Sequence, residues 1–140
     1  MNEHQFIVID TNILISAILF PNSLIAKAVD KAFLYYEPCV CHETLGEFLE
    51  VINRPKFDKY FVGRPYDKTW FISNFVKSVI VIEPTETVVD CKDPKDNKFL
   101  AVALSANARF LVTGDKKDLL SMNPYRGIEI ITAKEFLEKN

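Results

Sequence analysis

Three features of this 140-residue chain predict an α/β fold, a parallel sheet covered by helices on both faces. Short apolar runs alternate with helix-patterned stretches from one end of the chain to the other. The first run, QFIVI, is apolar almost throughout, as a central parallel strand requires. Acidic residues follow such runs directly, in FIVID (Phe6 to Asp10) and FLVTGD (Phe110 to Asp115). In a sheet of this kind, chemistry gathers beyond the carboxyl ends of the strands.

The elements follow in order. Gln5 to Ile9 is the first strand, and Ile13 to Phe20 a helix stopped by Pro21. Ser23 to Tyr36 carries Leu24, Ala28, Val29, Ala32 and Phe33 at helical spacing, until Glu37-Pro38 breaks it and Cys39 to Cys41 forms the next strand. From Glu43 to Asn53, Leu45, Phe48, Leu49 and Ile52 mark an amphipathic helix that Arg54-Pro55 ends. Lys56 to Tyr66 is polar, aromatic and loop-like. Trp70, Phe71, Phe75 and Val76 indicate a helix, and Ser78 to Ile82 a strand closed by Glu83-Pro84. Asp93-Pro94 opens another helix, with an acceptor at the cap and proline at the first position. Lys98 to Ala108 is apolar nearly all round, so that helix is buried. Arg109 to Thr113 and Ile128 to Ile131 are strands, and Ala133 to Lys139 a terminal helix. No repeat or low-complexity segment interrupts the series, and residues 1–140 read as one domain.

With 49% hydrophobic and 26% charged residues, the composition is that of a globular chain rather than a disordered one. The net charge of −2 advertises no basic nucleic-acid surface, although a carboxylate-rich site would itself subtract from one. Cys39, Cys41 and Cys91 lack the spacing and partners of a zinc site and read as small buried apolar residues. There is no leader and no apolar run near the ~20 residues of a membrane span, so the expected location is cytoplasmic.

Asp10, Glu47, Asp96 and Asp115 stand where strands end or helices begin. If the order of elements holds, distant carboxylates converge at one sheet edge, where a hard divalent cation is their natural counter-ion. Each also has a plainer reading. Asp10 or Asn12 can cap the next helix, and Asp93 is the cap of its own. Asp96 shares the face of Phe99, Leu100, Ala103 and Leu104, which argues for a directed carboxylate. Asp118 is either a partner of Asp115 or another cap. Glu47 lies opposite the apolar stripe of its helix, and periodicity alone assigns it to solvent.

Other chemistries lack their residues. No glycine-rich phosphate loop follows the first strand. His4 and His42 neighbour no serine or cysteine in a nucleophile setting. Carboxylates with a metal are the simplest chemistry, suited to phosphoryl displacement. Lys92, Lys95, Lys98, Lys116 and Lys117 surround the acids and would draw in a phosphodiester backbone. Arg54, Lys56, Lys59 and Arg64, interleaved with Phe57, Tyr60, Phe61 and Tyr66, are either a basic and aromatic ridge for single strands or a set whose aromatics simply pack.

The ordered set DTN, the glutamate of TLxEF, DPKDNKFLAxA and VTGD resembles the PIN domain family of nucleases. It is similar, more narrowly, to the bacterial and archaeal toxins of toxin–antitoxin systems, a likeness that includes NRPKF (Asn53 to Phe57) and spans residue 6 to about residue 131. The resemblance implies a three-layer sandwich with about five parallel strands, Mg²⁺ or Mn²⁺ as cofactor, and endonuclease action on RNA. It makes Asp10, Glu47, Asp96 and Asp115 the metal ligands, with Asn12 and Thr113 as supporting polar residues. Asn97 stands where some relatives carry another acid, and the extra lysine in GDKKD shifts Asp118 by one position. A homodimer and a neutralising antitoxin are implied as well. Two alternatives remain: a Mg²⁺-dependent phosphatase or phosphoacceptor domain using Asp10, which would ordinarily want a second aspartate where Asn12 stands, and a catalytically inactive PIN-like module that binds RNA or protein.

Overall fold

The structure, a computed structural model, describes residues 5–115 and 117–139. Five strands form one parallel sheet in the order β3-β2-β1-β4-β5, with β1 Phe6–Ile9, β2 Glu37–Val40, β3 Ile80–Val81, β4 Phe110–Val112 and β5 Glu129–Ile131. The chain therefore winds outward from β1 to β3, then crosses back to lay β4 and β5 on the other side of β1. That reversal opens a crevice between the ends of β1 and β4, whose last residues, Ile9 and Val112, are in register.

Alternate residues of each strand feed two separate cores. Ile7, Ile9, Phe110, Val112 and Ile131 pack against α1 (Thr11–Leu19), α2 (Leu24–Tyr35), α3 (His42–Ile52), α4 (Lys68–Ser78) and α6 (Ala133–Glu138). Val8, Cys39, Leu111 and Ile130 face the opposite way, onto α5 (Asn97–Ala106) and the buried Leu119 and Tyr125. The result is the expected three layers, unequal in thickness. All three cysteines are buried and unpaired in the α5 layer, and burial pushes the Cys39 thiol up to about 12, so it carries no charge at neutral pH.

Several boundaries differ from expectation, each for a local reason. Helix α1 begins at Thr11, directly after Asp10, because the Asp10 side chain accepts from the Asn12 N–H at 3.2 Å and caps the turn. Helix α4 runs through Ser78, whose hydroxyl donates to the Asn74 carbonyl at 2.7 Å, so β3 shrinks to two residues at the sheet edge. Pro94–Asp96 form a 3-10 turn, and α5 starts only at Asn97; it ends at Ala106 because Asn107 adopts a left-handed conformation with φ 53°. Within the segment read as a loop, Pro55–Phe61 form another 3-10 stretch. Among the described residues no single helix is long and apolar enough to cross a membrane.

Helix α6 closes the thicker layer through one side chain. Phe136 is fully buried, edge-on to Tyr36 and Phe110 with centroids 5.2 and 5.5 Å away. Lys31 on α2 donates to the carbonyls of Phe136 and Lys139 at 2.7 and 2.6 Å, satisfying the helix end. Phe136→Ala is expected to lower unfolding free energy by about 3–5 kcal/mol, measured by urea denaturation; a loss below about 1 kcal/mol would show that α6 is not part of the core.

Candidate active site

One cleft of about 730 Å³ opens at the carboxyl ends of β1 and β4, and six carboxylates line it: Asp10, Glu47, Asp93, Asp96, Asp115 and Asp118. Residues separated by more than a hundred positions meet there, as the sequence led one to expect for Asp10, Asp96 and Asp115.

Thr113 is the hub. Fully buried at the end of β4, its hydroxyl donates to Asp10 Oδ2 at 2.7 Å and accepts the Asp115 N–H at 3.1 Å. One side chain thus fixes two acids from neighbouring strands. Asp10 is itself buried, and its other oxygen accepts the Asn12 N–H, so the capping and site readings of this residue are both true. Asn12 also lines the cleft.

Glu47 is where periodicity and structure part. The side chain is 32% exposed and faces the cleft, because α1 and α5 flank the side of α3 that an isolated helix would present to water. Oε2 accepts the Thr11 hydroxyl, and Oε1 sits 2.9 Å from the Lys98 ammonium. Thr11 has no helical or strand pattern to single it out; its position one residue after Asp10 is the only signal.

The turn before α5 sorts the remaining acids. Asp93 does the capping, accepting the Lys95 N–H at 3.1 Å, while Asp96 at the helix boundary makes no capping bond and is left to the cleft. Asp115 Oδ1 accepts the Asp118 N–H at 3.2 Å, which folds the turn after β4 back on itself. Carboxylate oxygens of Asp93, Asp96 and Asp118 lie within 4.8 Å of one another. Asn97 points away from this cluster: its Oδ1 accepts the Cys91 N–H at 2.8 Å, closing the loop that carries Asp93 and Asp96. That loop is pinned further by Ser105, whose Oγ accepts the Thr85 and Glu86 N–H groups, and by the Tyr125 hydroxyl on Asp90. Sequence inspection singled out neither Ser105 nor Tyr125, since both act at a distance along irregular backbone.

The lysines scatter. Lys98 is only 14% exposed, bound to Glu47 and to the Lys95 carbonyl. Lys95 and Lys98 border a neighbouring cavity, with Cys41 and Asn97, rather than the acidic cleft. Lys117 and Lys92 are exposed, and Lys116, like His4, lies outside the described residues. The aromatic ridge is mostly structural: Phe57, Tyr60 and Phe61 pack on the core, Tyr66 stacks on Trp70 at 4.1 Å, and Arg64 donates to the Ile18 and Leu19 carbonyls at 2.7 Å each. Only Arg54 of that set reaches the cleft.

Crowding shows in the electrostatics. Burial, opposed by the Thr113 and Asn12 hydrogen bonds, raises Asp10 above the usual aspartate range. Burial first, then a hydrogen bond with Asp115 and the charges of Asp10, Asp93 and Asp115, push Asp96 up to about 7. An all-oxygen donor set held under mutual repulsion suits a hard divalent cation; the described residues around the cleft supply no imidazole or thiolate that would favour a softer one.

A parallel sheet with a carboxylate-lined cleft at its switch point between β1 and β4, where the winding reverses, places the chain among α/β proteins whose site lies at that edge. Comparison with known sequences narrows it: the PIN domain family model matches residues 6–117, and the chain belongs to that family. An uncharacterized protein of Methanocaldococcus jannaschii, MJ1680, is 34% identical over 145 aligned positions, covering 95% of this chain and 90% of that one. Among solved structures, VapBC2 from Rickettsia felis bound to a DNA fragment from its promoter superposes with a TM-score of 0.61 at 12% identity, covering 91% of this chain and 98% of the other. VapBC-1 from nontypeable Haemophilus influenzae gives 0.57 at 17% identity, covering 92% and 98%. At such identities the likeness is one of fold.

A carboxyl whose folded value lies above its unfolded value of 3.8 stabilises the fold fully below that pH and loses its contribution as pH rises through about 7. In EDTA, the melting temperature is therefore expected to fall between pH 5 and pH 8. Asp96→Asn is expected to raise it at pH 8 by about 2–4 °C with little change at pH 4, since the amide keeps the shape without the charge. An Asp96→Asn protein that melts lower than wild type at pH 8 would contradict the repulsion described here.

Proposed function

We propose that this protein is a metal-dependent endoribonuclease. The observation that carries this is the meeting of six carboxylates in one cleft at the switch point, in a chain of the PIN family. Mg²⁺ or Mn²⁺ would be held by Asp10, Glu47, Asp96 and Asp115, with Asp93 and Asp118 near enough to share the charge. When bound, the cation supplies an activated water and steadies the leaving oxygen of a phosphodiester. The chain's own part is orientation. Thr113 fixes the Asp10 carboxylate and, by accepting the Asp115 N–H, the backbone that carries Asp115; Thr11 and Lys98 aim Glu47, and Asn97 holds the loop that presents Asp96. Lys95 and Lys117, both exposed, would meet the backbone outside the cleft.

The biological role we infer is that of the toxin of a toxin–antitoxin pair, acting on RNA in the cytoplasm as a homodimer and neutralised by an antitoxin protein. Support comes from the sequence resemblance to that subgroup and from the likeness in fold to chains of two VapBC structures. An Asp10 phosphoacceptor fits less well, because both Asp10 oxygens already accept hydrogen bonds and Asn12 stands where a second acid is wanted.

Asp10→Asn and Asp96→Asn are each expected to reduce Mn²⁺-dependent cleavage of single-stranded RNA by at least about a hundredfold while leaving the far-ultraviolet circular dichroism unchanged. For the wild type, Mn²⁺ at about 100 times its Kd should add about 2.7 kcal/mol of stability, and this gain should shrink in both variants. Cleavage surviving both substitutions would assign the activity elsewhere.

A further inference from the structure

A cleft lined by six carboxylates repels the polyanion proposed to enter it, and a bound cation offsets only part of that charge. Some group of the protein must hold the strand against the remainder. Lys98 is occupied by Glu47 and lies off the cleft, and Lys95 borders the neighbouring cavity. Among the described residues a single cationic side chain lines the acidic cleft, and it is Arg54.

Building on the nuclease reading above, we propose that Arg54 is a phosphate-binding residue of this site, gripping a backbone phosphate so that the strand lies across the carboxylates.

The local structure prepares it for that task. Arg54 comes just after Asn53, the cap residue of α3, its N–H closing on the Val51 carbonyl at 3.1 Å, while the Asn53 side chain donates to the Leu49 carbonyl at 2.8 Å. Pro55 restricts the Arg54 backbone to the extended region it occupies, φ −63° and ψ 132°. Phe57, Tyr60 and Phe61 then anchor the following turn on the core, so the arginine projects from fixed backbone. Its Nη2 rests 3.0 and 3.3 Å from the two carboxylate oxygens of Glu50, one helical turn back. With side-chain exposures of 47% and 63%, that pair is accessible and weak. It orients the guanidinium yet yields readily to a phosphate, which the planar fork can bind through two parallel N–H donors. Lysine in this place would keep the charge and lose the fork.

The test compares wild type with Arg54→Gln, Arg54→Lys and Lys77→Gln, the last an exposed charge elsewhere on the chain. Steady-state cleavage of a fluorescein-labelled 12-nucleotide single-stranded RNA is measured in Mn²⁺ at several salt concentrations. Arg54→Gln is expected to lower kcat/KM about tenfold, mainly through KM, and to flatten the slope of log(kcat/KM) against log[salt] by about 0.7, the value for one single-strand phosphate contact. Arg54→Lys should restore the slope and only part of the rate, and Lys77→Gln should change neither. A kcat/KM within twofold of wild type for Arg54→Gln, or a fall with an unchanged salt slope, overturns the assignment. Should wild type not cleave, the nuclease reading fails, and fluorescence anisotropy of the same RNA with Mn²⁺ decides on Arg54. About tenfold weaker binding by Arg54→Gln than by wild type supports the phosphate site, whereas equal affinity, or no binding by wild type, overturns it.

Discussion

Negative charges forced together repel unless something intervenes, and the architecture around this cleft is organised by that repulsion. Acids from β1, α3, the turn before α5 and the turn after β4 are delivered to one place by a sheet whose winding reverses between β1 and β4. The protein answers part of the cost with neutral donors. Thr113 reaches Asp10, Thr11 reaches Glu47, and backbone N–H groups reach Asp10, Asp93 and Asp115. One lysine is drawn in, at Glu47. Burial first, and then the repulsion left uncompensated, push Asp96 up to about 7, at a place where a cation would favour the charged form.

Rigidity matters as much as charge. A site that must hold several carboxylates against repulsion gains from having each on an element fixed by other contacts. Asp10 and Asp115 extend from central strands whose residues are buried on both faces. Asp93 and Asp96 come from irregular backbone, and there the fold spends more polar groups: Asn97 and Ser105 tie the loop to α5, and Tyr125 ties it to the segment ahead of β5. The cap on the short turn and the late start of α5 are part of the same arrangement, since a helix begun at Asp93 would have spent Asp96 within its first turn.

Much of this was legible in the residues. Buried strands ending in an acid announced Asp10 and Asp115, and the apolar face beside Asp96 marked it as directed inward. Glu47 was hidden from periodicity because a helical wheel knows only its own helix; the cleft beside it is made by α1 and α5. Lys98 looked like a surface charge available to nucleic acid, and nothing within ten residues of it reveals the glutamate it meets on another helix. The ridge of aromatics and cations stayed open for a similar reason, since spacing cannot distinguish rings that stack on a ligand from rings that pack on a core. Arg54 was visible in that segment, but its separation from the other cations needed three dimensions.

Anomalous scattering from crystals grown with Mn²⁺ bears most directly on the idea that these carboxylates exist to share a cation. The account predicts an anomalous peak inside the cleft, with oxygens of Asp10, Asp96 and Asp115 at ligand distance. Crystals saturated with Mn²⁺ that show the cleft free of any peak, or ions bound only at surface acids elsewhere, would contradict it.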